Sequence, residues 1–152
     1  MTIAIREMRI DDVPAVVEID QMSFSLPWPE GSFRYEVSQN RAARCLVAET
    51  EDKRLAAMVV SWVIVDELHI ATLATHKDFR RQGIGSQLLL SALADGRRRG
   101  ATRAMLEVRE SNVAAQAMYR KFGFEVAGRR PRYYRDNGEA ALLMTLQEFQ
   151  EA

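Results

Sequence analysis

The chain is poor in most of what would mark a specialised class. It has one cysteine, Cys45, so neither an intramolecular disulfide nor an all-cysteine metal site can form. Its two histidines, His69 and His76, lack the spacing of a zinc site, and no metal is expected. Net charge is missing too: 21 Lys+Arg balance 21 Asp+Glu, which removes the electrostatic footprint of a dedicated nucleic-acid binder. The longest apolar run, Leu55 to Val65, is interrupted by Ser61 and is too short to span a bilayer. No charged segment leading into an apolar stretch opens the chain, so the expectation is a cytoplasmic protein that meets no membrane. The four prolines are scattered, and no Gly/Ser-rich stretch or repeat divides the 152 residues, which predicts one domain over 1–152. What remains, 47% hydrophobic and 28% charged residues, is ordinary globular composition and rules against disorder.

Periodicity supplies the elements. Thr2 to Met8 alternates as a strand does. Asp11 or Asp12 can cap a helix with Pro14 in its first turn, carrying Val13, Val16, Val17, Asp20 and Phe24 at helical spacing. Leu26-Pro27-Trp28-Pro29 breaks the chain, and Glu30 to Val37 predicts a short second helix. Ala42–Glu49, Leu55–Val65 and Leu68–Thr75 read as strands. Ile84, Leu88, Leu89, Ala92 and Leu93 form a helical stripe that ends in three arginines and Gly100. Ala104 to Val108 is a strand, and Ser111 caps a helix closed by Gly123. Phe124–Gly128 and Ala140–Leu146 are the last strands. The order β-α-α-β-β-β-α-β-α-β-β predicts a mixed α/β sheet covered by helices.

The segment Arg80-Arg81-Gln82-Gly83-Ile84-Gly85-Ser86 lies between a predicted strand and a strongly patterned helix. Glycines there let the backbone approach a ligand, and the free N–H groups of a helix's first turn, with its dipole, suit a pyrophosphate. It is neither a Walker A loop nor GxGxxG. Glycine spacing alone fits equally well a plain turn with solvated arginines.

The pattern Arg80-x-x-Gly83-x-Gly85 resembles motif A of the GNAT acyltransferase superfamily. Further on come Leu106-Glu107-Val108-Arg109-Glu110-Ser111-Asn112, then Ala115, Met118-Tyr119 and Lys121-Phe122-Gly123-Phe124. With Ser23-Phe24-Ser25-Leu26-Pro27-Trp28 and Arg132-Tyr133-Tyr134, these resemble the RimI type, the N-terminal alanine acetyltransferases of ribosomal proteins. The resemblance implies a single GNAT-like domain with a mainly antiparallel central sheet, and acetyl-CoA as co-substrate. It implies that Leu73, Ala74 and Thr75 offer backbone to the pantetheine arm and that Arg81 to Ser86 hold the pyrophosphate, with Arg80 opening the motif. Asn112 would contact the cofactor, and Tyr119 would sit near its sulfur. Glu107 matches the general base and Tyr119 the general acid. The implied partner is a protein or peptide N-terminus, such as that of a ribosomal protein, met by a monomer or weak dimer. The family usually has Val where Thr75 stands and often Asp-Pro where His76-Lys77 stand. Backbone contacts tolerate the first change; the second alters the loop entering the turn.

The chemistry needs a neutral amine. Near pH 7, deprotonation costs about 1 kcal/mol for a peptide α-amine and about 4.6 kcal/mol for lysine, so a single carboxylate suffices for the first. Glu107 lies in an apolar strand, where desolvation would raise it towards a base's working range; a strand-end Glu paired with Arg103 or Arg109 fits as well. Tyr119 shares a helix face with Ala115 and Phe122 and could simply pack. Tyr133 and Tyr134, alternating in a strand, could line a peptide groove with at least one in the core. Arg129, Arg130, Arg132 and Arg135 form a basic cluster that could meet a ribosomal substrate or be a solvated face. Trp28, between two prolines, is a wall of the acceptor site or a loop anchor. Cys45, Met58, Met105 and Met118 read as core, and His69 and His76 as sheet-edge and loop residues. Besides an N-terminal acetyltransferase, the residues leave open a GNAT enzyme of lysine side chains or small amines, and a non-catalytic CoA- or nucleotide-binding module.

Overall fold

Strand residues alternate between two separate apolar cores, and this sets the layers. The computed structural model describes residues 2–147. Among them, β1 (Ile3–Glu7), α1 (Val13–Ser23), α2 (Glu30–Ser38), β2 (Ala43–Thr50), β3 (Leu55–Ile64) and β4 (Glu67–Thr75) come first. Then follow α3 (Ile84–Arg98), β5 (Arg103–Arg109), α4 (Val113–Lys121), β6 (Glu125–Arg130) and β7 (Ala141–Leu146). The expected order is the order observed. Cys45, Val47, Met58 and Val60 face one core with Val13, Val16, Ile19 and Phe33 of α1 and α2. Leu46, Ala48, Ala57 and Val59 face the other, with Leu88, Leu89 and Ala92 of α3 and Tyr119 of α4. Burial on both faces explains why β3 reads as a continuous apolar run. No helix among the described residues is long and apolar enough to cross a membrane.

The sheet runs β1-β2-β3-β4-β5-β7-β6. Every neighbouring pair is antiparallel except β4 and β5. That parallel ladder spans only Glu67–Ile70 against Arg103–Leu106. Beyond it β4 continues against β3 alone, and Glu107 to Arg109 continue against β7 alone. Opposite Val60 stands Thr72 and opposite Ser61 stands Ile70, so Ala71 is an extra residue, a bulge at the point where the strands part.

Helix ends differ from the sequence expectation in two places. A short 3-10 turn, Ile10–Asp12, precedes α1, and the Asp12 carboxylate accepts from the Arg9 N–H and pairs with Arg6 rather than capping α1. At α4 the cap is Asn112, whose Oδ1 accepts from the Ala115 N–H at 3.2 Å; Ser111 instead donates its N–H to Glu139. The two tyrosines Tyr133 and Tyr134 lie in the β6–β7 loop, not in a strand. A paired strand could not hold Arg132, which has φ +54°.

Leu88 is fully buried under the sheet, while Leu90, two residues on, is half exposed. Leu88→Ala should cost about 2–5 kcal/mol of stability, whereas Leu90→Ala should stay within about 0.5 kcal/mol. Urea unfolding of both checks this; equal midpoints would contradict the placement of α3.

Candidate active site

The parting of β4 and β5 opens a cleft of about 330 Å³. Its floor and walls include Ala71, Thr72 and Leu73 from β4, Glu107 and Arg109 from β5, and Asn112, Ala115 and Tyr119 from α4 and its cap. Trp28 from the α1–α2 loop and Tyr134 from the β6–β7 loop close over it. A second groove, about 400 Å³, shares Trp28, Ala71, Glu107 and Tyr134 with the first. It adds Trp62, His69, Met105, Arg130 and Tyr133. Glu107 therefore stands where the two meet. His69 lies on an interior strand and lines this groove, which corrects its reading as a sheet-edge residue.

Glu107 is not the desolvated carboxylate its apolar neighbours suggested. Strand alternation turns Leu106 and Val108 into the core and leaves the Glu107 side chain 33% exposed. Neither Arg103 nor Arg109 partners it. Arg103 pairs with Glu67, Arg109 with Asp136 and Glu139, and Glu107 lies 3.9 Å from Arg130 Nε. Its charge is felt next door: burial, then the Glu107 carboxylate, raises the Tyr133 phenol.

Tyr119 is 7% exposed and packs edge-on against Phe124 at 5.7 Å. Its hydroxyl has no partner among the described residues. Burial alone pushes this phenol up to about 12. It thus packs, as its helix face implied, and also borders the cleft as a neutral donor.

The turn before α3 adjoins the β4 end of the cleft. Arg81 and Gly83 both hold left-handed backbone, φ +63° and +78°, and no side chain caps the helix. The N–H groups of Ile84, Gly85 and Ser86 precede the first intrahelical bond, from Gln87 N to Gly83 O, and remain available to an anion. The two glycines act differently. A Cβ on Gly83 would meet nothing within 4 Å, whereas one on Gly85 would lie 3.2 Å from Thr75 Oγ1 and 3.6 Å from Met118 Sδ. Gly85 therefore lets α3 sit close on β4 and α4, and only Gly83 answers to backbone conformation. Arg80 is a brace: Nε donates to Thr75 O at 3.0 Å and an Nη to Ser23 Oγ at 3.1 Å. Arg81 and Gln82 are exposed.

The structure thus gathers Leu73, Glu107, Asn112, Tyr119, Trp28 and Tyr134 around one cleft, with Tyr133 in the adjoining groove. Ala74 and Thr75, at the end of β4, and residues 80–86, at the turn into α3, do not line it. Trp28 is both anchor and wall. Its N–H donates to Asp20 at 2.7 Å, and its ring lies 5.1 Å from Phe33 and 6.5 Å from Trp62. Asp20 was missed as a site residue; it is 1% exposed, and burial raises its carboxyl. A carboxylate inside an apolar helical stripe was the available signal. Trp62 and the acidic pair Asp136 and Glu139 were missed as well.

Residues 13–124 match the model of the Acetyltransferase (GNAT) family. A Bacillus subtilis (strain 168) protein with the provisional name ribosomal protein bS18-alanine N-acetyltransferase is 41% identical over 93% of each chain. The Escherichia coli (strain K12) ribosomal protein bS18-alanine N-acetyltransferase is 34% identical, over 93% of this chain and 95% of its own. The crystal structure of the Escherichia coli ribosomal-protein-S18-alanine N-acetyltransferase superposes with a TM-score of 0.88 at 31% identity, covering 99% of this chain and 97% of that one. Ard1 from Thermoplasma volcanium gives 0.88 at 25% identity, over 99% and 100%. These matches bear out the resemblance read from the glycine turn and the Leu106–Asn112 string.

A phenol raised by burial favours the folded state while it stays protonated. That contribution is complete below its ordinary value of 10.0 and is lost as pH rises towards about 12. Wild type should therefore lose stability relative to Tyr119→Phe between pH 10 and 12. Denaturant unfolding at intervals across that range measures it; a constant difference between the two would place the hydroxyl in water.

Proposed function

The chain belongs to the acetyltransferase (GNAT) family, and we propose that it moves the acetyl group of acetyl-CoA to the N-terminal α-amine of a protein, alanine above all, with a ribosomal protein as acceptor. The observation that carries this reading is the junction at Glu107, where a cleft between parted strands meets an aromatic groove. The names of the relatives support the acceptor, each specifying an alanine of ribosomal protein bS18.

Acetyl-CoA fits the residues present. The segment Arg81 to Ser86, which leads into the uncapped first turn of α3, offers N–H groups to the pyrophosphate with Arg80 braced behind it. The β4 edge over Leu73, Ala74 and Thr75, freed from β5, offers backbone to the amides of the pantetheine arm. Asn112 caps α4 through Oδ1, and its Nδ2 is left to donate. Trp28, Tyr133 and Tyr134 flank the acceptor chain. When bound, acetyl-CoA supplies the thioester.

Glu107, directly or through water, takes a proton from the acceptor amine. The amine nitrogen bonds to the acetyl carbon as the carbon–sulfur bond breaks, and Tyr119 donates to the departing sulfur, regaining a proton from solvent once the products leave the cleft. Partial exposure suits Glu107 for passing that proton to solvent. One carboxylate is enough because the neutral α-amine is ~10² to 10³ times more populated than neutral lysine near pH 7.

Mass spectrometry of a peptide with a free Ala terminus and an internal lysine, beside the same peptide with its terminus blocked, tests the acceptor. The α-amine should be labelled. Equal or faster labelling of the blocked peptide would make this a lysine acetyltransferase; labelling of neither, with CoA still bound, would point to a small amine. Glu107→Gln should lower turnover ~10²-fold or more while CoA binding, followed by calorimetry, persists. Near-normal turnover would leave Glu107 only as a neighbour of Arg130.

A further inference from the structure

Arg109 lies two residues beyond Glu107 on the same face of β5, with its side chain 19% exposed. Its guanidinium is shared between two loops that border the cleft. From the β6–β7 loop it bonds Asp136 at 2.8 Å, Glu139 at 3.2 Å and Asn137 at 3.3 Å. From the α1–α2 loop it bonds Ser25 Oγ at 3.1 Å, and Ser25 itself donates to Asp136. The same group stacks on the Tyr134 ring, 3.9 Å from its centroid. Glu139 continues the network to the Ser111 N–H at 2.6 Å, tying in the cap of α4. A planar fork with five donors can hold this many acceptors at once; an ammonium cannot.

We propose that Arg109 is a positioning residue for the acceptor. It fastens the α1–α2 and β6–β7 loops to each other and holds Tyr134 in the same cavity wall as Trp28, so that an incoming chain terminus meets a formed groove beside Glu107. The anion-accepting turn before α3 takes no part in this network, which reaches the cofactor side only through the Ser111 N–H beside Asn112, so the effect falls mainly on the acceptor. The proposal rests on the peptide-acceptor reading above. It adds to it that the groove is built by an ion-pair hub on the strand that carries the base.

The test compares wild type with Arg109→Lys, Arg109→Ala and the milder Ser25→Ala, by hydrogen exchange of the free enzyme and by separate KM values for peptide and acetyl-CoA. Arg109→Ala should speed exchange in residues 24–29 and in 131–140 alike. It should raise the peptide KM about 10-fold while leaving the acetyl-CoA KM within about two-fold. Arg109→Lys, which keeps the charge and loses the fork, should restore little of the peptide KM. Ser25→Ala should speed exchange mainly in 24–29, and it decides the matter should Arg109→Ala fail to fold. Unchanged exchange in both loops, or peptide and acetyl-CoA KM values that rise together, would overturn the proposal. If wild type acetylates no peptide, the acceptor reading falls, and the exchange data still decide whether the hub fastens the loops.

Discussion

Two parallel strands stop pairing at Ile70 and Leu106, and the site depends on that separation. A parallel pair is ordinarily buried and continuous, because every ladder bond left unmade exposes backbone that must find another partner. Here β4 carries the Ala71 bulge and from there stays paired only with β3, while β5 stays paired only with β7, so two strand edges are left unpaired with each other. The helix that must cross between the strands, α3, begins at the β4 end of that opening, where its uncapped N–H groups add to the free donors. The free backbone of β4 on one wall and Glu107 on the other are consequences of one interruption in one ladder, to which α4 adds Tyr119.

The cleft is then closed by contacts of a different kind. Tyr119, Leu106 and Val108 are held by apolar packing. The two loops above are held by charge and aromatic stacking, with Arg109 on one side and Asp20 anchoring Trp28 on the other. Local opening follows this division, since polar loops with few buried apolar contacts open at lower free energy than a packed core. The packed wall and the ion-paired loops therefore answer to different perturbations, the first to loss of apolar volume and the second to loss of charge.

Much of this was legible in the residues. Periodicity and turn chemistry yielded the element order, because the helical stripe of α3 and the apolar runs of β2 and β3 report burial directly. The strand-to-helix turn was legible from its glycines, but spacing could not separate Gly83, which serves the backbone conformation, from Gly85, which serves packing against Thr75. The environment of Glu107 was misread because a strand's neighbours in sequence lie on the opposite face; Leu106 and Val108 say nothing about the side on which Glu107 opens. Tyr133 and Tyr134 look like strand residues until the left-handed Arg132 is known. Arg109 was visible only as a partner for Glu107, since its true partners lie 27 and 30 residues on, a separation that no local pattern encodes.

On the proposed function, acetyl-CoA lies in the opening between β4 and β5. Backbone amide shifts followed by NMR during titration with CoA test it directly. Large shifts should fall on residues 71–75, 81–86 and 107–112, while β1, β2 and β6 stay unmoved. Large shifts centred elsewhere, with 81–86 and 107–112 unaffected, would contradict it.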